Sequence, residues 1–265
     1  MRTLYLDAFS GISGDMFLGA MLDLGLDFDA LEQELAKLHV KGYHLTHQRL
    51  AKSSIYGTSF DVEVAGGKDH GFVETHHHAG HTVAEGHHHH DARHLNDILA
   101  LIDASELSAT VIAHAKAIFM EIAQAEATVH DMPLAEVHFH EVGALDSIVD
   151  IVGCCVALEL MKIDHIIASP LTDGSGFINV AHGQMPVPVP AVMQMRVGSQ
   201  IPINQRLDIH TESITPTGMG LVKTLVSEFG PLPADATPTK IGYGFGQRDT
   251  GGFNALRAVL FEKKN

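Results

Sequence analysis

Thr3-Leu4-Tyr5-Leu6-Asp7-Ala8-Phe9-Ser10-Gly11-Ile12-Ser13-Gly14-Asp15-Met16-Phe17-Leu18 decides the fold. Residues 3–7 read as a short buried strand and residues 10–14 as a turn. A helix over about 15–24 follows, with Ser13 as its cap and Gly25 as its stop. Met16, Phe17, Leu18, Met21, Leu22 and Leu24 are apolar on most sides of that helix, so it belongs at the centre of the molecule. A second, amphipathic helix is expected over 28–38. Residues 42–65 alternate as a two-stranded hairpin, with Phe60, Val62 and Val64 on one face and Asp61 and Glu63 on the other. Helical spacing returns near His94 through Leu95, Ile98, Leu99 and Ile102, and two longer helices are expected over 107–129 and 146–161. The last of these is apolar nearly all round. Beyond Ile163 short strands alternate with Gly- and Pro-rich turns, with helices starting near Pro190 and Pro216 and final strands over 239–243 and 256–261. No internal repeat occurs. The pattern predicts an α+β fold: a mixed sheet packed with helices, residues 1–265 forming one domain, with one disordered insertion.

That insertion, residues 68–93, is a flexible His-rich loop. His70, His76, His77, His78, His81, His87, His88, His89, His90 and His94 make up half of the twenty histidines in the chain. Neutral imidazole is the commonest protein ligand for zinc, copper and nickel. An affinity tag would sit at a chain end, and Glu74, Gly80, Glu85 and Gly86 interrupt this run. The segment has too little apolar surface to offset its ordering entropy. It therefore reads as a mobile metal-collecting loop, too redundant for a closed catalytic centre. Affinity alone does not name the metal.

The chain has 265 residues, 45% of them hydrophobic, and a formal charge of −15. That charge argues against nonspecific nucleic-acid or acidic-membrane binding and suits cation handling. No secretory signal or membrane-spanning stretch is visible, and the only two cysteines are adjacent, Cys154 and Cys155. A cytoplasmic protein is expected. Its oligomeric state is left open, a homo-oligomer included.

Two constellations are candidates to carry chemistry. In Val137-His138-Phe139-His140-Glu141-Val142-Gly143-Ala144-Leu145-Asp146-Ser147-Ile148-Val149-Asp150, an extended 137–141 would turn His138 and His140 to one side. Asp146 and Asp150 share a helix face. Two imidazoles and the carboxylates of Glu141, Asp146 and Asp150 suit a borderline divalent metal. The structural alternative is a partly exposed strand with Asp146 capping the helix. The second constellation is the turn from Asp7 to Asp15. Ser10, Gly11, Ser13 and Gly14 before a helix start form an anion cradle, yet this is neither a Walker A loop nor a dinucleotide fingerprint. Asp7 and Asp15 would repel a bare phosphate and suit a bridging cation or a substrate hydroxyl. A tight structural turn with a capping serine explains it equally well.

Three weaker candidates follow. Thr215, Thr217 and Gly218 surround another helix start, Arg248 follows a glycine-rich strand where it could clamp a carboxylate or phosphate, and His182 lies between turns. Ordinary capping, a surface ion pair and a structural histidine are their respective alternatives.

On residues 5–16, the histidine run, residues 138–150, Ala181-His182-Gly183 with Pro186-Val187-Pro188, Thr215-Pro216-Thr217-Gly218 and Gly242-Tyr243-Gly244, the chain resembles the LarC family. These are the nickel insertion proteins of nickel-pincer cofactor biosynthesis. The resemblance implies binding of Ni(II) and its delivery into a pyridinium bis-thiocarboxylate mononucleotide, giving the organometallic cofactor of lactate racemase. It also implies a lyase-class metal chelatase acting with CTP and Mn(II) or Mg(II), which a further C-terminal region binds. The chain resembles the N-terminal part, so that region and lactate racemase are expected partners. In this reading the histidine loop collects nickel, and His138, His140, Glu141, Asp146 and Asp150 receive it. The glycine turns at 10–14 and 215–218, with Arg248, hold phosphate and carboxyl groups. A non-catalytic nickel storage or metallochaperone module is the runner-up. An unrelated phosphoryl-transfer enzyme is a third reading.

Overall fold

The computed structural model describes residues 1–64, 94–137, 139, 145–180 and 183–262. β1 (Arg2–Asp7) turns into α1 (Gly14–Asp23). Ser13 caps α1, its Oγ accepting from the Met16 N–H at 3.2 Å. α2 (Phe28–Leu35) ends in a tight 3-10 turn, Ala36–Leu38, closed by His39 in the left-handed region. The expected helix over 28–38 is thus two pieces, because the last turn tightens before the chain reverses. β2 (Tyr43–Lys52) and β3 (Ile55–Val64) form the hairpin, followed after the insertion by α3 (Leu95–Asp103), α4 (Ala109–Val129) and α5 (Leu145–Leu160). The second half contains β4 (His165–Ala168), β5 (Leu171–Asp173), β6 (Phe177–Val180), β7 (Gly183–Pro186), α6 (Pro190–Arg196), β8 (Ile203–Gln205), α7 (Pro216–Leu225), β9 (Glu228–Phe229), β10 (Pro238–Phe245) and β11 (Ala255–Glu262).

Among these strands, seven build one mixed sheet in the order β2-β3-β10-β11-β1-β4-β9. β11 is antiparallel to both β1 and β10, while β4 is parallel to β1 and β3 to β10. β1, β3, β4 and β10 therefore all run the same way, and the carboxyl ends of β1, β4 and β10 share one rim. Thr58 is level with Gly244. The six residues after Thr58, up to Val64, thus carry β3 roughly 20 Å past that level.

Helices cover one face of the sheet. α1 comes so close that a Cβ on Gly244 would stand 1.8 Å from the Met16 carbonyl oxygen. α5 packs between α1, α2 and α4, and Ile148, Val149, Ile151, Val152 and Cys154 on it are wholly buried. Its all-round apolarity is what a central helix requires. Leu4 and Leu6 of β1 join this main core, whereas the alternate residue Tyr5 packs with Val259 and Phe261 on the other face. Val137 and Phe139 are buried outside any strand, Phe139 edge-on to Phe119 at 6.1 Å between ring centres. Among the described residues no helix is long and apolar enough to cross a membrane.

Candidate functional site at the carboxyl rim

The turn after β1 is held from two sides. Gly11 has φ +89°, and a Cβ there would lie 1.9 Å from the Ser213 carbonyl oxygen, so both its conformation and its space demand glycine. Ile12 N–H donates to Ser213 O at 2.9 Å, and Thr215 N–H donates back to Ile12 O at 3.2 Å. The two glycine turns predicted separately, 10–14 and 215–218, are therefore one structure. On the other side Gly14 abuts α5: a Cβ there would meet Asp150 Cβ at 3.0 Å and Asp150 Oδ2 at 3.3 Å. Cys154, one helical turn on, donates its thiol to Gly14 O at 3.8 Å. Burial first, then Asp150, Cys155 and Asp15, push that thiol well above its ordinary range. Asp150 thus lies against the residue before Asp15, although the two aspartates are 135 positions apart in the chain, and both act on the Cys154 thiol.

Asp15 Oδ2 also accepts from Gln247 Nε2 at 3.2 Å. Asp146, in the first turn of α5, keeps a buried Oδ1 with no hydrogen-bond partner among the described residues. Both carboxylates of these first turns sit where the helix dipole favours negative charge.

The remaining candidates have structural partners. Asp7 accepts from Arg257 Nε at 2.9 Å, the residue directly opposite it on β11. It alternates with Leu6 and so faces away from α1, and the structure does not bring it to Asp15 and Asp150. Ser10 is buried and its hydroxyl donates to Asn254 Oδ1 at 3.4 Å. Thr215 caps α7, accepting from Gly218 N–H at 3.1 Å and bonding Thr217 Oγ1 at 2.8 Å. Arg248 pairs with the buried Glu212 at 2.5 Å and donates to its carbonyl at 3.1 Å. His94 precedes α3 on the surface, its N–H donating to Asp97 Oδ2 at 3.3 Å. His138, His140, Glu141, His182 and the histidines from His70 to His90 lie outside the described residues. Among those described, no three His, Cys, Asp or Glu side chains are placed to hold one metal ion.

Asp173 is a residue the sequence reading missed. It is fully buried at the end of β5, and its Oδ1 accepts from the N–H groups of Ser213 (2.7 Å), Gly174 (2.8 Å) and Ile214 (3.2 Å). Burial raises its pKa, against the pull of those three donors and of Arg248. An aspartate before glycine reads as a common turn, so nothing local marks it. Arg257 left a faint signal, a lone cation in the apolar run Leu256-Arg257-Ala258.

The root of the histidine insertion adjoins this region. Val64, the last described residue before it, pairs with Tyr43, and a Cβ on Gly42 would stand 4.0 Å from Leu145 at the start of α5. An open cleft of about 430 Å³ lies here, lined among others by Glu32, His39, Tyr43 and His44.

Fold and rim together define an α+β protein in which two helix-start turns, with Asp15 on α1 and Asp150 on α5 close to them, gather beside the parallel-strand ends. Residues 4–265 match the family described as nickel insertion protein, and the chain belongs to that family. It is 82% identical over 267 residues to the pyridinium-3,5-bisthiocarboxylic acid mononucleotide nickel insertion protein of Lactiplantibacillus plantarum, covering all of this chain and 62% of that protein. Proteins of the same description in Acetivibrio thermocellus and Geobacillus kaustophilus are 48% and 45% identical, over 100% and 99% of this chain and 61% and 60% of their own lengths. The chain spans about three fifths of the curated relatives it matches. No solved structure matches it.

Proposed function

We propose that this chain is the nickel-loading part of an enzyme that inserts Ni(II) into pyridinium-3,5-bisthiocarboxylic acid mononucleotide. Nickel is cargo here. The histidines of residues 70–94 collect it, and redundant weak ligands let it pass on stepwise. Asp15, Asp146 and Asp150, together with His138, His140 and Glu141, receive it. When nickel replaces a hydrogen on the pyridinium ring, that hydrogen leaves as a proton, and the Asp15–Asp150 pair supplies a base for it. Helix-start N–H groups at the joined turns 10–14 and 215–218 bind the phosphate, the bound cation offsetting the repulsion from Asp15. CTP, Mn(II) or Mg(II), and contact with lactate racemase belong in this reading to the two fifths of the relatives that this chain does not span. The work takes place in the cytoplasm.

One observation carries the proposal: Asp150 lies against Gly14 on a helix whose first residue adjoins the root of the histidine insertion. Deleting residues 70–94 is expected to lower bound nickel per chain, measured by equilibrium dialysis with metal analysis. An unchanged stoichiometry would remove the collecting role.

A second reading is a nickel storage or metallochaperone module without chemistry, in which Asp146 serves only the start of α5. His138→Ala with His140→Ala separates the two. An insertion enzyme, supplied with the remainder of the relatives' length, loses cofactor maturation while the histidine run still binds nickel. A storage module loses neither.

A further inference from the structure

A second group of side chains meets at the same rim, on the sheet face turned away from α1. Phe253, in the loop between β10 and β11, is its hub. Its ring is parallel to Phe9 at 6.0 Å between centres, edge-on to Tyr243 at 6.0 Å and edge-on to Phe245 at 5.8 Å. Phe245 is wholly buried, but Phe9, Tyr243 and Phe253 are only half-buried. The neighbouring Gly251 and Gly252 have open space beside them.

Two cations flank the rings. Lys52 lies 5.3 Å above the Phe245 ring and uses one N–H on the Gly246 carbonyl, at 2.7 Å. An ammonium has three N–H donors, so others remain for a ligand. Burial lowers its pKa. Arg257 stands between Asp7 and Tyr243, its register partners on either side. The group touches the carboxylate site through adjacent residues. Phe9 precedes Ser10 and Phe253 precedes Asn254, the hydrogen-bonded pair that ties the turn after β1 to the β10–β11 loop, and Gln247 of the same loop reaches Asp15.

We propose that Phe9, Tyr243 and Phe253 form a stacking platform for the flat, positively charged heteroaromatic ring of a mononucleotide, with Lys52 and Arg257 holding its acidic substituents. The assignment rests on the proposed function and names where in that site the substrate ring lies. Aromatic faces attract a cationic ring through their quadrupole, and flat rings stack on them. A cluster serving only to anchor its loop would gain by burying all of its rings. Here three rings keep exposed surface, beside a glycine pair that leaves the approach open.

Nicotinic acid mononucleotide is a suitable probe: a pyridinium ring with a carboxylate, ribose and phosphate. Ribose 5-phosphate is its control without a ring. By titration calorimetry the chain is expected to bind the former at least tenfold more tightly. Phe253→Leu keeps apolar bulk and removes the π face. It is expected to weaken the pyridinium probe by about tenfold, to leave ribose 5-phosphate binding nearly unchanged and to keep a cooperative unfolding transition. Should that variant fail to fold, Phe9→Leu carries the same expectation. The platform is overturned if the variant binds the pyridinium probe as the parent does, if ribose 5-phosphate binds equally well, or if the parent binds neither. Nickel stoichiometry, measured on the same samples, tests the underlying reading separately. Absent nickel binding would remove that reading even where the probe still stacks.

Discussion

Cys154 and Cys155 show how burial sets a side chain's chemistry. Both sit on α5 with almost no exposure. Burial pushes the Cys155 thiol up to about 12 from an ordinary 9.0, and burial first, then Asp150, Cys155 and Asp15, hold the Cys154 thiol well above that ordinary value. The thiols therefore remain protonated in the native protein and act as small apolar groups. The sign of the linkage follows. Below pH 9 both states hold these protons, and the contribution to stability is complete. Above it the unfolded thiols ionise while the folded ones do not, so stability falls with pH up to the folded values. Each thiol costs about 1.4 kcal/mol per pH unit in that window. Urea unfolding between pH 8.5 and 10.5 is expected to show a steeper loss for the parent than for the double variant Cys154→Ala, Cys155→Ala. Equal slopes would contradict the burial of both thiols.

Single elements were mostly legible, because helices and hairpins are written in local periodicity. The hairpin at 43–64, the central helix α5, and the proline-started α6 and α7 lie where the pattern puts them. What brings elements together was not legible. β10 and β11 enter the sheet between β3 and β1, a pairing with no local signature. The same holds for the site. Asp15 and Asp150 were each visible as candidates, but their meeting depends on α5 crossing the start of α1 at Gly14. Asp173 was invisible for a related reason: its role lies in tying β5 to the segment before α7. Oδ1 there takes three backbone N–H groups that would otherwise be buried without acceptors. Asp173→Ala is expected to cost about 3 kcal/mol or more in urea unfolding, as several buried donors lose a partner. Asp173→Asn retains a carbonyl oxygen for Oδ1 and should cost clearly less. Equal losses in the two variants would mean that the second oxygen carries the effect.

At the scale of the whole molecule, the order of strands distinguishes parts that can be removed from parts that cannot. β11 occupies the middle of the sheet, antiparallel to β10 on one side and to β1 on the other. Its Leu256, Ala258 and Leu260 enter the main core, and Arg257 holds Asp7 at the rim. Removing residues 255–265 would leave β1 and β10 each with an unpaired edge and a core lacking one wall, a loss far beyond the usual stability of a domain. The histidine insertion is placed differently. The β2–β3 hairpin is closed at its far end by Ser53 and Ser54, both in the left-handed region, and the ten strand pairs from Tyr43–Val64 to Lys52–Ile55 hold it without help from the insertion. α3 begins with its own backbone tie, His94 N–H to Asp97. Replacing residues 68–93 by a short Gly-Ser linker is therefore expected to preserve far-UV circular dichroism per described helix and a cooperative thermal transition within a few degrees of the parent. Truncation at Asn254 is expected to abolish that transition. A folded truncation product, or a linker variant that melts far below the parent, would contradict this division between a sheet that carries the rim and an insertion that serves it.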